Sequence, residues 1–219
     1  MSSTPDYTLV IGTKNWSSWS LRPWLLMRQA ELPFQEIEIP LRQPATAQEI
    51  ARHSPSGKVP LLKLGEGFAV WDSLAIAELL AERHPGKALW PSDARARAEA
   101  RAVSAEMHAG FQALRNEMPM DCLARFPAQA PSEAVARDIA RIRSIWSGAR
   151  SAYGARGPFL FGAFSIADAM YAPVVSRFRS YGVALSAEEQ RYADAVWSLP
   201  AITRWLEDCA AWAKRTAHP

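Results

Sequence analysis

The sequence predicts an α/β domain followed by an all-α domain. Three observations carry that prediction. The apolar periodicity changes once, near residue 85; before that point short apolar runs alternate with helical patterns; after it only helical patterns remain. With 219 residues, 49% of them apolar and nine of them Trp, the chain is long enough to bury two cores.

In the first half, apolar runs consistent with strands lie at Tyr7 to Ile11, Phe34 to Ile39, Leu61 to Leu64 and Phe68 to Trp71. Helical patterns at 19–31, 46–53 and 73–84 separate or follow them, giving the order βαβαββα. Strand, helix, strand implies a right-handed parallel unit. Gly65-Glu66-Gly67 is a link short enough for a hairpin, so the last two strands run antiparallel and the four-stranded sheet is mixed. Pro60 opens the third strand, a position that needs no backbone donor, and it holds Val59 extended. His84-Pro85-Gly86-Lys87 and Pro91-Ser92-Asp93 mark a linker. The predicted division is a domain over 1–84, a linker over 85–93 and a helical domain over 94–219.

In the second half, Val103, Met107, Phe111, Leu114 and Met118 keep one face apolar over four turns of a single predicted helix. Val135, Ile139, Ile142 and Trp146 repeat the pattern, and Ile202, Trp205, Leu206, Cys209 and Trp212 mark the last helix. Between them, Ser165-Ile166-Ala167-Asp168 has the spacing of a capping box, in which Asp168 reaches back to the amide of the cap. Its role is to start a buried helix.

Charge is nearly balanced, with 25 basic and 22 acidic side chains, and the basic residues are dispersed, so nothing suggests a nucleic-acid partner. Cys122 and Cys209 are far apart in sequence and lack metal-ligand spacing, which argues for a reduced, cytoplasmic protein without a metal. The first residues, Met1 to Asp6, lack a signal-peptide pattern, and no apolar run approaches a membrane span.

Two clusters stand out as chemistry. Lys58-Val59-Pro60 is followed, twelve residues after the proline, by Asp72-Ser73 at a helix start, where a carboxylate, a hydroxyl and unpaired amides gather. Such a cluster suits a small zwitterionic peptide, since it can hold an ammonium and a carboxylate together. The second cluster is Asn15-Trp16-Ser17-Ser18-Trp19-Ser20, where the first strand meets the first helix. A hydroxyl beside a helix N-terminus stabilises a thiolate through a charge-assisted hydrogen bond and the helix dipole.

The runs S-G-K-V-P-L-L-K-L, W-D-S-L-A-I-A-E-L-L and F-S-I-A-D-A resemble those of the cytosolic glutathione S-transferases of bacterial type, over Tyr7 to about Trp212. The resemblance implies a thioredoxin-like first domain and a helical second domain. It also implies a cis Val59-Pro60 bond, glutathione as co-substrate and a two-fold homodimer. By resemblance Val59, ahead of Pro60, pairs with the cysteinyl backbone of glutathione. Asp72, in place of the usual Glu or Gln, holds the γ-glutamyl end with Ser73, and Lys58 reaches the far carboxylate. The segment Ser17-Ser18-Trp19-Ser20 is similar to the zeta-class serine motif, with Ser17 at the thiol-activating serine, Ser18 as the next candidate and Trp19 where zeta members have cysteine. Tyr7 lies at the start of its strand, unlike the tyrosine of the tyrosine-using classes.

The electrophile pocket is expected between the domains, walled by Trp16, His108, Phe111 and Arg115, with Arg115 able to receive an anionic group. Arg22 is read as structural. The favoured function is conjugation of the glutathione thiolate to a largely apolar electrophile. The alternatives are a cis/trans isomerase of the maleylacetoacetate type, for which Arg177 and Arg179 are the nearest late arginines, and a glutathione-binding module without catalysis.

Overall fold

The computed structural model describes residues 7–217 apart from Ala128; the N-terminal segment read for a leader, 1–6, lies outside them. Four strands form one mixed sheet: β1 (Thr8–Gly12), β2 (Gln35–Ile39), β3 (Leu61–Lys63) and β4 (Ala69–Trp71), in the spatial order β2-β1-β3-β4. β1 runs parallel to β2 with Leu9 opposite Glu36, and antiparallel to β3 with Leu9 opposite Leu62. β3 and β4 pair antiparallel, joined by a single 3₁₀ turn at Gly65–Gly67. Leu9, Val10 and Ile11 are fully buried because β1 is central and covered on both faces.

Alternation along β1 divides the apolar side chains. Leu9 and Ile11 join the main core, while Val10 packs on the other face with Ile39, Ile50 and Leu61. The helix α1 (Ser18–Gln29) follows β1, and α2 (Thr46–Ala51) supplies Ile50. α3 (Ser73–Arg83) follows β4 directly, so the end of the sheet and the start of α3 are one continuous corner. The Val59-Pro60 bond is cis.

The second half comprises α4 (Ala94–Ala109), α5 (Gln112–Glu117), α6 (Glu133–Tyr153), α7 (Ile166–Ser180), α8 (Ala187–Trp197) and α9 (Pro200–Ala217). α7 is the hub, nearly all of it buried, and it packs on both α1 and α4. Its capping box forms as expected: the Ser165 amide donates to Asp168 Oδ2 at 2.8 Å, and the Leu160 amide donates to Oδ1 at 3.0 Å.

One element differs from the sequence reading. The stripe from Val103 to Met118 is not one helix, because the chain leaves the α conformation at Gly110 and Phe111 adopts φ 62°. The break holds because its polar groups find partners: Arg115 Nε donates to Gly110 O at 2.9 Å, and the Leu114 amide donates to Asp138 Oδ2 at 3.0 Å. The apolar side chains stay buried, so the periodicity survives a break that it does not reveal.

Candidate functional site

A cleft of about 570 Å³ opens where β3, the start of α3 and the second half meet. Ser56, Lys58, Val59 and Pro60 form one side, and Trp71, Asp72 and Ser73 form the floor. Trp19 from α1 and His108 from α4 complete it. The cleft therefore gathers all five residues of the first sequence cluster, Lys58, Val59, Pro60, Asp72 and Ser73.

The corner at Asp72 sets the geometry. Asp72 caps α3, accepting at Oδ1 from the Leu74 amide at 2.9 Å and the Ala75 amide at 3.3 Å. It does so at φ 80°, a strained backbone for a residue with a Cβ, held by the structure around it. Its other oxygen, Oδ2, lies 3.1 Å from His108 Nε2. His108 is a helix residue of the second half, so the carboxylate at the floor is fixed from both halves. Burial holds the imidazole below its ordinary range; Asp72 pulls it back up, and Arg22 and Arg115 push it down again. Its ring meets Trp19 edge-on at 5.2 Å. On the opposite side, Val59 makes no backbone hydrogen bond among the described residues, so its amide and carbonyl remain open to an extended peptide.

The serine cluster adjoins this wall along the chain through Trp19. Ser17 and Ser18 are both buried, and neither lines the cleft. Ser17 precedes α1 and donates from Oγ to Ser20 Oγ at 2.7 Å, while Ser20 Oγ also accepts from the Gly12 amide at 3.0 Å. Ser18 is placed differently. Its Oγ accepts from Arg177 Nη2 at 3.3 Å, which leaves its own proton available for donation. Arg177 is held by Met118 O and Pro173 O; burial, with Arg115 nearby, pushes it down to about 10, so it stays charged at neutral pH.

The residues expected to wall an electrophile pocket separate. His108 lines the cleft. Phe111 is buried at the helix break, and Arg115 anchors that break through Gly110 O and Met107 O while its guanidinium stacks 4.6 Å from the Trp19 ring. Trp16 faces elsewhere, meeting Trp212 edge-on with Arg42 over its ring. Asn15 ties Asp121 and Leu123 together, Tyr7 donates or accepts at His84, and Arg179 pairs with Asp194. Sequence reasoning missed Trp71 and the part of Trp19 as a wall. The available signal was position: Trp71 is the residue next to Asp72, and Trp19 lies inside the serine cluster.

The two cysteines, distant in sequence, are both free and buried in the fold. Among the described residues no group of three or more His, Cys, Asp or Glu is arranged to hold a metal ion. No helix among them is long and apolar enough to cross a membrane.

Comparison with known proteins agrees with this architecture. A family model for the glutathione S-transferase N-terminal domain matches residues 16–83, and one for the C-terminal domain matches residues 132–213. A probable maleylacetoacetate isomerase from Caenorhabditis elegans is 33% identical over 45% of this chain, and the match spans 45% of that relative's length. The maleylacetoacetate isomerase of Pseudomonas aeruginosa is 28% identical over 76% of this chain and 73% of its own. A glutathione transferase homologue from Burkholderia, solved with bound glutathione, superposes with a TM-score of 0.71 at 24% identity, covering 94% of this chain and 98% of that one.

Proposed function

The chain belongs to the glutathione S-transferase family, and on that premise we propose that it binds glutathione in the cleft and transfers its thiolate to an electrophilic small molecule. The observation that carries this reading is the floor of the cleft. An ammonium finds the Asp72 carboxylate, a carboxylate finds the Ser73 hydroxyl at the α3 N-terminus, and an extended cysteinyl residue finds the open peptide groups of Val59. Lys58 stands at the rim for the glycyl carboxylate.

Thiol activation falls to the serine pair, and the hydrogen bonds favour Ser18. Ser17 directs its proton to Ser20, whereas Ser18 receives a hydrogen bond from a charged guanidinium and keeps its proton for the sulfur. A hydroxyl polarised in this way at the first turn of α1 is a stronger donor to a developing thiolate. The thiolate then attacks the electrophilic carbon, a new C–S bond forms and the leaving group departs with its electron pair. Trp19 and Trp71 supply an apolar wall for the acceptor.

The test compares Ser18→Ala with Ser17→Ala. Ser18→Ala should bind glutathione as tightly as the parent yet leave the bound thiol protonated at neutral pH, with kcat reduced about 10²-fold or more. Ser17→Ala should retain thiolate formation. The reverse pattern assigns the role to Ser17.

A second reading is a glutathione-dependent cis/trans isomerase. Two observations favour it: both curated relatives described above carry that name, and Arg177, the late arginine considered for a substrate carboxylate, touches Ser18. Turnover of a cis-enone dicarboxylate without consumption of glutathione would establish it. A cytoplasmic homodimer completes the proposal, and sedimentation at micromolar concentration tests the oligomer.

A further inference from the structure

His108 stands in the last turn of α4, with 26% of its side chain exposed, and its Nε2 lies 3.1 Å from Asp72 Oδ2. This contact ties the second half of the chain to the carboxylate proposed for the ligand's ammonium. The other ring nitrogen, Nδ1, is buried and has no partner among the described residues. The tautomer follows from that asymmetry. A neutral ring carries its proton on Nε2, donates it to Asp72 and leaves a lone pair on Nδ1.

Charging the ring is disfavoured here. A second proton would sit on Nδ1, a buried donor with no acceptor among the described residues. The charged groups that face the imidazole are Asp72 at the start of α3, the buried Arg22 of α1 and Arg115 of α5. Trp19 of α1 meets the ring edge-on, and Lys58 lines the same cleft. α7 also packs on α4 and, among the described residues, brings no charge that shifts the ring. Burial, with Arg22 and Arg115, outweighs the attraction of Asp72 and holds the imidazole below its ordinary value of 6.5. At neutral pH the ring is therefore a neutral donor, and the charge of Asp72 is free for a cation. In mild acid the ring charges, and an imidazolium 3.1 Å away both neutralises that carboxylate and repels a second cation.

We propose that His108 is a positioning residue for the ligand and a proton switch on its binding: neutral, it steadies Asp72 Oδ2 for the ligand's ammonium; protonated, it becomes the counter-ion of Asp72 and shuts the ammonium out. The inference rests on glutathione occupying the cleft as described above. Binding selects the neutral ring, so a ligand that meets a charged ring displaces its proton to solvent. Affinity is full at neutral pH and falls as pH drops through the ring's lowered range, below 6.5.

The experiment measures binding of S-methylglutathione to the full-length protein by calorimetry at about pH 7 and about pH 5, with circular dichroism confirming the fold at both. This probe keeps the ammonium and both carboxylates, has no ionisable thiol, and carries no group that titrates between those values. The parent should bind it about three- to twenty-five-fold more weakly at the lower pH, the range set by a ring that titrates below its ordinary value. His108→Ala should weaken binding at neutral pH and remove the pH dependence. His108→Gln, which restores a neutral N–H donor but cannot be protonated, should recover the neutral affinity and stay flat with pH. A merely structural role would weaken binding equally at both pH values and leave the parent's slope in place. If neither variant folds, the parent alone decides: binding near pH 6 in buffers of different ionisation enthalpy should release a proton. A parent with no pH dependence and no proton release overturns the inference, as does a His108→Gln variant that keeps the parent's slope. A parent that binds the probe at neither pH overturns the reading of the cleft as well.

Discussion

Replacing Asp168 with Ala should destabilise the protein, and by more in mild acid than at neutral pH. The carboxylate is fully buried and accepts hydrogen bonds from the Leu160 amide at 3.0 Å, the Ser165 amide at 2.8 Å and the Ser165 hydroxyl at 3.1 Å. Removing it strands two buried amides, at about 1–3 kcal/mol each. The loss is thus about 2–6 kcal/mol, a large share of the roughly 5–15 kcal/mol that holds a domain folded. The pH dependence follows from burial, which pushes the carboxyl from 3.8 up to about 6 despite these donors. Between the two values the native state binds more protons than the unfolded chain, so this group adds stability as pH falls through about 6 and loses it as pH rises. The Ala variant has no such contribution. Its deficit should therefore grow by about 1 kcal/mol between about pH 7 and about pH 5. Urea unfolding of both proteins at the two pH values gives the difference directly. A deficit that is constant, or that shrinks on acidification, would show that the native carboxyl is not raised and that its donors outweigh its burial.

Two further outcomes follow from buried polar groups. Lys14 is buried, pairs with Glu36 of β2 at 2.8 Å and with Asp208 of α9 at 2.5 Å, and sits over the rings of Trp24 and Trp205. Burial pushes its ammonium down, but the bonds to Asp208 and Glu36 outweigh burial and leave it raised. Lys14→Met keeps the apolar stem and removes the link between β2 and α9. It should cost about 1–3 kcal/mol in chemical denaturation, and an unchanged midpoint would remove the pair from the account. Cys122 and Cys209 are buried, and the contact with Cys122, together with burial, pushes the Cys209 thiol up. A thiol reagent should therefore titrate neither in the native protein and both in denaturant; rapid reaction of either in the native state would contradict their burial.

What the sequence made legible was mostly local. The capping box at Ser165 and Asp168 and the Asp72 cap are each read from a few adjacent residues, because their partners lie within one turn. The break at Gly110 was hidden because Phe111, Leu114 and Met118 remain apolar and buried on either reading; the carboxylate that caps α5, Asp138, lies on another helix. Arg22 looked like an ordinary helix arginine for a similar reason. Its burial is imposed by α3 and α7 closing around α1, neither of which is encoded nearby. The different hydrogen bonding of Ser17 and Ser18 likewise depends on Ser20, whose oxygen also takes the Gly12 amide of the sheet, and on Arg177, far along the chain. Adjacent serines in a sequence carry no information about which proton is already engaged.

Glutathione binding and thiol activation in this cleft are tested by titrating glutathione into the purified protein while following thiolate absorbance across pH. Saturable binding is expected, with the bound thiol ionising well below its free range and that shift lost in Ser18→Ala. Binding with an unshifted thiol would contradict the activation step, and absence of binding would contradict the assignment of Lys58, Val59, Asp72 and Ser73 to the tripeptide.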